Sequence, residues 1–152
     1  MNWTQNVKYV NVTPPAAIVD DGSYTTTAID TAGYDHLTLL VSLGATDIAM
    51  AALKVQEDDD SALGSPTDIT ATVFGTATND TGSTSTLPSA TDDNDIFAIE
   101  IDLKGRQRYI DVVATAGNGS LGTYASIIGI LSKPGIGPST AAEAGLNQRI
   151  VC

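Results

Sequence analysis

The stretch that indicates the fold most directly reads Ile96-Phe97-Ala98-Ile99-Glu100-Ile101-Asp102-Leu103. From Phe97 onward, a large apolar residue occupies every second position, and an alanine and two acids stand between them. In an extended strand, alternate side chains point to opposite faces, so this order puts the apolar set on one face and both carboxylates in water. A helix would spread the acids around its circumference. We therefore predict a strand with one buried face.

Four further runs predict strands on either side of this stretch. Residues 36–44 and 51–56 alternate in the same way. Residues 109–116 and 124–131 are apolar and β-branched on both faces, which is typical of more buried strands. Weaker strand candidates are residues 7–13, residues 17–19 with 24–29, and residues 69–74.

Turn signals separate these runs and favour an all-β fold. Asp21-Gly22, Lys104-Gly105 and Gly117-Asn118-Gly119 are typical of turns. About eight strands without βαβ spacing predict a two-sheet sandwich, and we favour a jelly roll with extended N- and C-terminal arms. Two short helices are open alternatives: one over residues 45–53, and one over residues 139–147 that Ser139 would cap.

The length of 152 residues indicates one domain. We assign residues 1–133 to the β-sandwich domain, which includes an N-terminal arm at residues 1–12. Residues 134–152 form a C-terminal arm that opens with glycines and prolines. Residues 76–95 are an almost entirely polar insert, and inserts of this length in compact domains are usually functional or mobile.

The charge balance excludes several classes of partner. With 18 acids against 7 bases, the net charge is -11, which repels both nucleic-acid phosphates and anionic membranes. The single cysteine, Cys152, allows no intrachain disulfide. The first residues lack the basic and apolar regions of a signal peptide, and no apolar run approaches the roughly 20 residues of a membrane span. We therefore expect the chain in the cytoplasm of the cell that makes it.

A glycine-rich motif, Gly117-Asn118-Gly119-Ser120-Leu121-Gly122, matches the dinucleotide-binding pattern G-x-G-x-x-G. That pattern binds pyrophosphate only where a helix begins directly after it. Residues 123–128 are strand-like, so we interpret the motif as a hairpin loop and expect no dinucleotide cofactor.

Acidic and histidine side chains give no clear catalytic or metal site. The acidic clusters at residues 20–21, 58–60 and 92–95 are interpreted as solvated loop tips, and a calcium site where two loops meet is the alternative. His36 is the only histidine and no G-x-S-x-G nucleophile motif accompanies it, which disfavours a hydrolase. One histidine and one cysteine cannot form a structural zinc site. We therefore expect no enzyme activity, no catalytic residue, no metal and no cofactor.

Candidate interface residues lie in one basic turn and in the two arms. The basic residues around Gly105 are interpreted either as a solvated hairpin end or as a docking point for an acidic surface. The apolar residues of the arms have no place in the strand alternation, so they fold back on their own domain or cross onto a neighbour. The candidate interface residues are Trp3, Tyr9, Lys104, Arg106, Arg108, Leu146, Arg149 and Ile150.

Three stretches resemble small virion proteins of tailed bacteriophages. They are Gly33-Tyr34-Asp35-His36-Leu37-Thr38-Leu39-Leu40-Val41-Ser42-Leu43-Gly44, Leu53-Lys54-Val55-Gln56-Glu57-Asp58-Asp59-Asp60-Ser61 and Ile127-Ile128-Gly129-Ile130-Leu131-Ser132-Lys133-Pro134. Together they cover about a third of the chain. Some decoration, or cement, proteins of this group are jelly rolls of similar size.

The resemblance implies a capsid decoration protein that stabilises a phage head and carries no catalytic residues. Its implied partners are the major capsid protein and copies of itself, and a trimer suits the local three-fold positions of an icosahedral shell. It would lie on the capsid surface of the virion and in the host cytoplasm before assembly. The alternative is a carbohydrate- or receptor-binding module, such as a head fibre or a tail-associated adhesin.

Overall fold

The computed structural model describes residues 5–150 and is built almost entirely from β-strands. The strands are β1 (Val7–Thr13), β2 (Ile29–Asp30), β3 (Tyr34–Thr46), β4 (Ala52–Asp58), β5 (Thr67–Asp68), β6 (Ile96–Asp102), β7 (Tyr109–Thr115) and β8 (Thr123–Pro134). A single turn of 3-10 helix, Thr70–Thr72, follows β5. All five strongly predicted runs are strands, and residues 7–13 are confirmed as well.

The strands form two four-stranded antiparallel sheets, ordered β1-β8-β3-β6 and β2-β7-β4-β5. The first half of the chain pairs with the second half in reverse order: β1 with β8, β2 with β7, β3 with β6 and β4 with β5. One long hairpin rolled up into two sheets gives this pairing, and contacts of β3 with β8 and of β4 with β7 complete the sheets. This is the strand order of a jelly roll, so the predicted fold is confirmed.

The core lies between the two sheets and follows the predicted alternation. On β6, Ile99 and Ile101 are buried while Glu100 and Asp102 are exposed. Phe97 is half-buried, with its ring centroid 6.0 Å from that of Phe74. The fully buried side chains of the inner strands are Leu37, Leu39, Val41, Leu53, Val55, Ile110, Val112, Ile127 and Leu131.

Residues 69–74 do not form the predicted strand. The Thr72 hydroxyl donates to the Ile69 carbonyl at 2.8 Å and accepts from the Val55 amide at 3.2 Å. The first bond lies within the 3-10 turn and the second replaces a backbone partner on β4, so strand pairing ends at Asp68. The helical alternative for residues 45–53 is also wrong, because β3 continues to Thr46 and β4 begins at Ala52.

Residues 17–29 only partly form the strand that was predicted there. Val19 and Ser23 make single bridges, to Thr123 and Thr115 respectively, and regular pairing is limited to β2. Tyr24 fixes this segment from inside, since its buried hydroxyl donates to the Thr123 carbonyl at 2.5 Å.

The C-terminal segment contacts β1 of its own chain. Residues 141–145 form turns and not the short helix considered from the sequence. The Ser139 hydroxyl donates to Glu143 at 2.8 Å, which supports the turn. Ala144 is fully buried, and its carbonyl accepts from the Tyr9 amide at 2.9 Å. Ala144 of the C-terminal segment therefore packs against β1 of its own domain.

Candidate functional site: the outer edge of strand β6

Of the four edge strands in the described part of the chain, only β6 is both long and uncovered. On β1, the Tyr9 amide binds Ala144, and the Val12 carbonyl accepts from the Thr27 amide at 3.0 Å. Strands β2 and β5 have two residues each, whereas β6 has seven. Proteins commonly shorten or cover their sheet edges because free edges invite pairing with other chains. Strand β6 is therefore the edge at which an added strand would meet the fewest obstacles.

The alternation of hydrogen bonds between β6 and β3 shows which backbone groups of β6 face away from the sheet. The Leu43 amide donates to the backbone carbonyl of Asp95 and the Leu103 amide donates to that of Asp35, both at 3.0 Å. Because hydrogen-bonded pairs alternate along an antiparallel ladder, the odd-numbered residues of β6 bond to β3. Ala98 and Glu100 therefore direct their N–H and C=O groups away from the sheet. Within residues 5–150, no hydrogen bond reaches these four groups.

A groove of about 880 Å³ runs beside this edge. Strand β6 forms one wall, and the 3-10 turn with the loop after it forms the other. This volume lies within the usual range for ligand sites. The apolar lining includes Ile69, Phe74, Phe97, Ile99 and Ile101, and the polar lining includes Asn79, Asp80, Glu100, Asp102 and Arg106.

The β6 edge and the groove beside it carry an excess of negative charge. Asp80 lines the groove, and the carboxylates of Glu100 and Asp102 lie on the exposed face of β6 beside it, whereas Arg106 is the only basic residue of the lining among the described ones. The Arg106 guanidinium is 3.1 Å from Glu57 on β4, so its charge is already paired. No ion pair within residues 5–150 involves Asp80, Glu100 or Asp102. A cationic ligand is therefore favoured at this edge.

The predicted basic docking residues mostly bind acids of their own domain. Arg106 pairs with Glu57, as described above. Arg108 donates two hydrogen bonds of 2.8 Å to Asp30, and its guanidinium lies 5.1 Å from the Tyr109 ring centroid. This contact lowers the pKa of Asp30 to about 2. Lys104 is exposed in the turn after β6. Only Arg106 of this trio lines the groove.

Tyr9, on β1, lies at the opposite edge of the first sheet, where the described part of the C-terminal segment contacts it. Tyr9 is half-buried, as are Leu146 and Arg149 in the C-terminal segment. Ile150 is 93% exposed. Trp3 lies outside the described residues. Because β1 and β6 are the two outer strands of the sheet, the structure does not bring the arm residues and the basic turn together.

The glycine-rich motif forms a loop, and the carboxylate of Asp47 accepts hydrogen bonds from its backbone amides. Strand β8 follows it directly, so no helix begins there. Asp47 accepts hydrogen bonds from the amides of Ser120 at 2.5 Å and Leu121 at 2.6 Å. These bonds hold the pKa of Asp47 below its usual range. Since a carboxylate of the chain occupies the amides that a phosphate would need, the loop is structural. It joins β7 of one sheet to β8 of the other, so the predicted hairpin is wrong.

His36 lies in a cross-strand row with Asp102 on β6 and Ser132 on β8. The three residue types are those of a hydrolase triad, in which the serine hydroxyl donates to the histidine and the histidine donates to the aspartate. No hydrogen bond among the described residues joins these side chains, so we assign them no catalytic role.

Residues 5–150 contain no group of three or more histidine, cysteine, aspartate or glutamate side chains arranged to hold a metal ion. No helix in that range is long and apolar enough to cross a membrane. No protein-family model, no curated protein and no solved structure matches the chain. Function is therefore inferred from the topology and the β6 edge.

Proposed function

We propose that this chain is a capsid decoration protein that binds an assembled phage head and stabilises it. The observation that carries the proposal is the long, uncovered and acidic edge of β6 beside a groove, in a jelly roll whose other edges are short or covered. Such an edge suits attachment to another protein by strand pairing. Jelly rolls occur in viral capsid and lectin domains, and the phage resemblance of residues 33–44, 53–61 and 127–134 favours the former.

The proposed partners are the major capsid protein and two further copies of the chain. An apolar stripe on the solvent face of the first sheet supports self-association. Leu40 and Ile128 are direct cross-strand neighbours there, and Ile130 pairs with Tyr9 in the next row. Ile128 is 43% exposed. A net charge of -11 keeps single copies soluble in the host cytoplasm until they reach the capsid surface.

Co-assembly tests this proposal. The chain is expressed together with the major capsid protein encoded in the same genome, and the particles are separated on a density gradient. We expect the chain to migrate with the particles in a fixed ratio to the capsid protein, and to raise their melting temperature. Particles that exclude the chain, or that hold it at variable ratio without any gain in thermal stability, would contradict a decoration role.

A carbohydrate-binding module is the second candidate, because the groove combines sugar-binding types of side chain. Asn79, Asp80 and Arg106 offer hydrogen-bonding groups, and Phe74 and Phe97 offer aromatic surface. A glycan array separates the two functions. Glycan binding that Asn79→Ala abolishes, together with no binding to particles, would favour the module over the decoration protein.

A further inference from the structure

We infer that the outer edge of β6 binds an extended partner segment in which apolar and basic residues alternate. The segment adds to the first sheet as a fifth strand beside β6. This inference rests on the proposed function for its setting, since the segment would then belong to the capsid protein. It adds the docking surface and the chemistry of the partner, neither of which the decoration role specifies.

The backbone of β6 supplies the main attachment. Ala98 and Glu100, whose N–H and C=O groups face outward, lie two positions apart on the strand, which is the spacing of hydrogen-bonded pairs in an antiparallel ladder. The seven residues of β6 extend over roughly 23 Å, enough for an added strand of similar length. In strand addition, such main-chain bonds provide affinity and side-chain pockets provide selectivity.

The two faces of the added strand would meet different surroundings. One set of its side chains would lie over the groove, where Ile69, Phe74 and Phe97 provide an apolar lining. The other set would lie on the solvent face beside Glu100 and Asp102, which are both exposed. Cross-strand neighbours of opposite charge stabilise a sheet and like charges destabilise it. The segment should therefore carry apolar residues on its groove side and lysine or arginine on the other.

A second copy of the chain suits this edge poorly. Two paired β6 strands would place four carboxylates, Glu100 and Asp102 from each copy, on one face of the ribbon. The two copies also carry a net charge of -11 each. Charged residues on edge strands are a common means of preventing self-pairing. The same carboxylates would be neutralised by a basic segment, so charge complementarity selects a foreign strand.

Two blocked heptapeptides test the inference on the full chain: one alternates lysine and valine, and the other alternates glutamate and valine. Dissociation constants are measured by fluorescence anisotropy. We expect the lysine peptide to bind about tenfold more tightly, since it gains several favourable cross-strand pairs. The double substitution Glu100→Lys and Asp102→Lys should invert this preference. A wild-type chain that does not distinguish the peptides, or a preference unchanged by charge reversal, would overturn the inference.

A proline tests the backbone contact directly. Ala98→Pro removes one outward N–H and spares the bonds to β3, and proline is tolerated on edge strands. We expect about tenfold weaker binding of the lysine peptide, whereas Ala98→Thr, which keeps the N–H, should bind like wild type. Unchanged binding by a folded Ala98→Pro variant would refute strand addition. If circular dichroism shows that this variant is unfolded, the charge-reversal pair decides the question.

The outcomes separate this inference from the decoration role. If the chain binds capsids but does not distinguish the two peptides, the decoration role is supported and the role of the β6 edge is refuted. If the peptides bind with the expected dependence on charge and on proline but the chain does not bind capsids, the role of the β6 edge is supported. The capsid is then not its partner.

Discussion

Leu39 and Ser42 lie on β3 and point to opposite faces of the first sheet. Leu39 is fully buried between the sheets, whereas Ser42 is exposed. We expect Leu39→Ala to lower the free energy of unfolding by about 2–5 kcal/mol, because it opens a cavity in the core. Ser42→Ala should change it by no more than about 0.5 kcal/mol. Urea unfolding of both variants checks this, and equal losses would contradict the assignment of the two faces.

The ion pair between Asp30 and Arg108 should make the free energy of unfolding depend on pH. The folded-state pKa of Asp30 is about 2, below its ordinary value of 3.8, so the ionised carboxylate favours the folded state. Its contribution is complete above about pH 4 and is lost as the pH falls towards about 2. The Asp30 side chain is 43% exposed, so solvent screening keeps the effect small.

Urea unfolding across this pH range, with wild type and Asp30→Asn compared, measures the effect. We expect wild type to be the more stable near neutral pH and the difference to close between about pH 4 and about pH 2. Asp35→Asn, at an exposed carboxylate without an ion pair among the described residues, is the matched control. A difference that does not vary with pH would show that the pair does not act through its charge.

The row of Asp102, His36 and Ser132 should show no catalysis. We expect any hydrolysis of p-nitrophenyl acetate by wild type to be matched by Ser132→Ala and by His36→Ala, because no hydrogen bond joins the three side chains. Stopped assays at several enzyme concentrations measure this. Turnover that proceeds through an acyl-enzyme and disappears in Ser132→Ala would make the protein an enzyme.

The C-terminal turn is held against β1 by a glycine. Gly145 has a φ of +73°, and a Cβ there would meet the Tyr9 carbonyl oxygen. We expect Gly145→Ala to displace the turn and speed hydrogen exchange at the Tyr9 amide about tenfold, given the cost of a left-handed alanine. Gly135→Ala has nothing within 4 Å of its new Cβ and should leave the exchange unchanged. Unchanged protection in Gly145→Ala would show that the turn does not cover this edge.

The sequence predicted best those strands that have one face buried in the core and the other exposed. On β6, the alternation from Phe97 to Leu103 identified the buried face because burial follows side-chain period. The same period carries no information on which edge stays free, so the groove beside Ala98 was not predicted. Residues 69–74 were misassigned because the Thr72 hydroxyl competes for the backbone, and short polar side chains act in this way without a periodic signal.

Contacts between distant parts of the chain account for the remaining differences. Arg108 was considered as a docking residue, but its partner Asp30 lies 78 positions earlier and only the strand order brings them together. The Asp47 carboxylate binds the amides of a loop more than 70 positions later. Neither pair could be identified from spacing along the sequence.

The apolar stripe across the first sheet should control the state of association of the whole molecule. If the chain forms the proposed trimer through this stripe, Ile128→Lys will place a charge at its centre and yield monomers in sedimentation velocity. Ile136→Lys, at a residue that is 93% exposed and outside the stripe, should leave the trimer intact. A wild-type monomer, or an Ile128→Lys trimer, would contradict self-association through this face.

The order in which the strands pair has a consequence for synthesis on the ribosome. Strand β8 lies between β1 and β3, and its residue Ser132 pairs with Val7 from the other end of the chain. Until residues 123–134 emerge, β1 has no strand neighbour and β3 is paired on one side only. A nascent or prematurely ended chain therefore presents a half-built sheet, which proteases and chaperones recognise. Of the eight strands described, the one translated last closes the first sheet, so we expect chains that end before residue 123 to be degraded faster than chains that include β8.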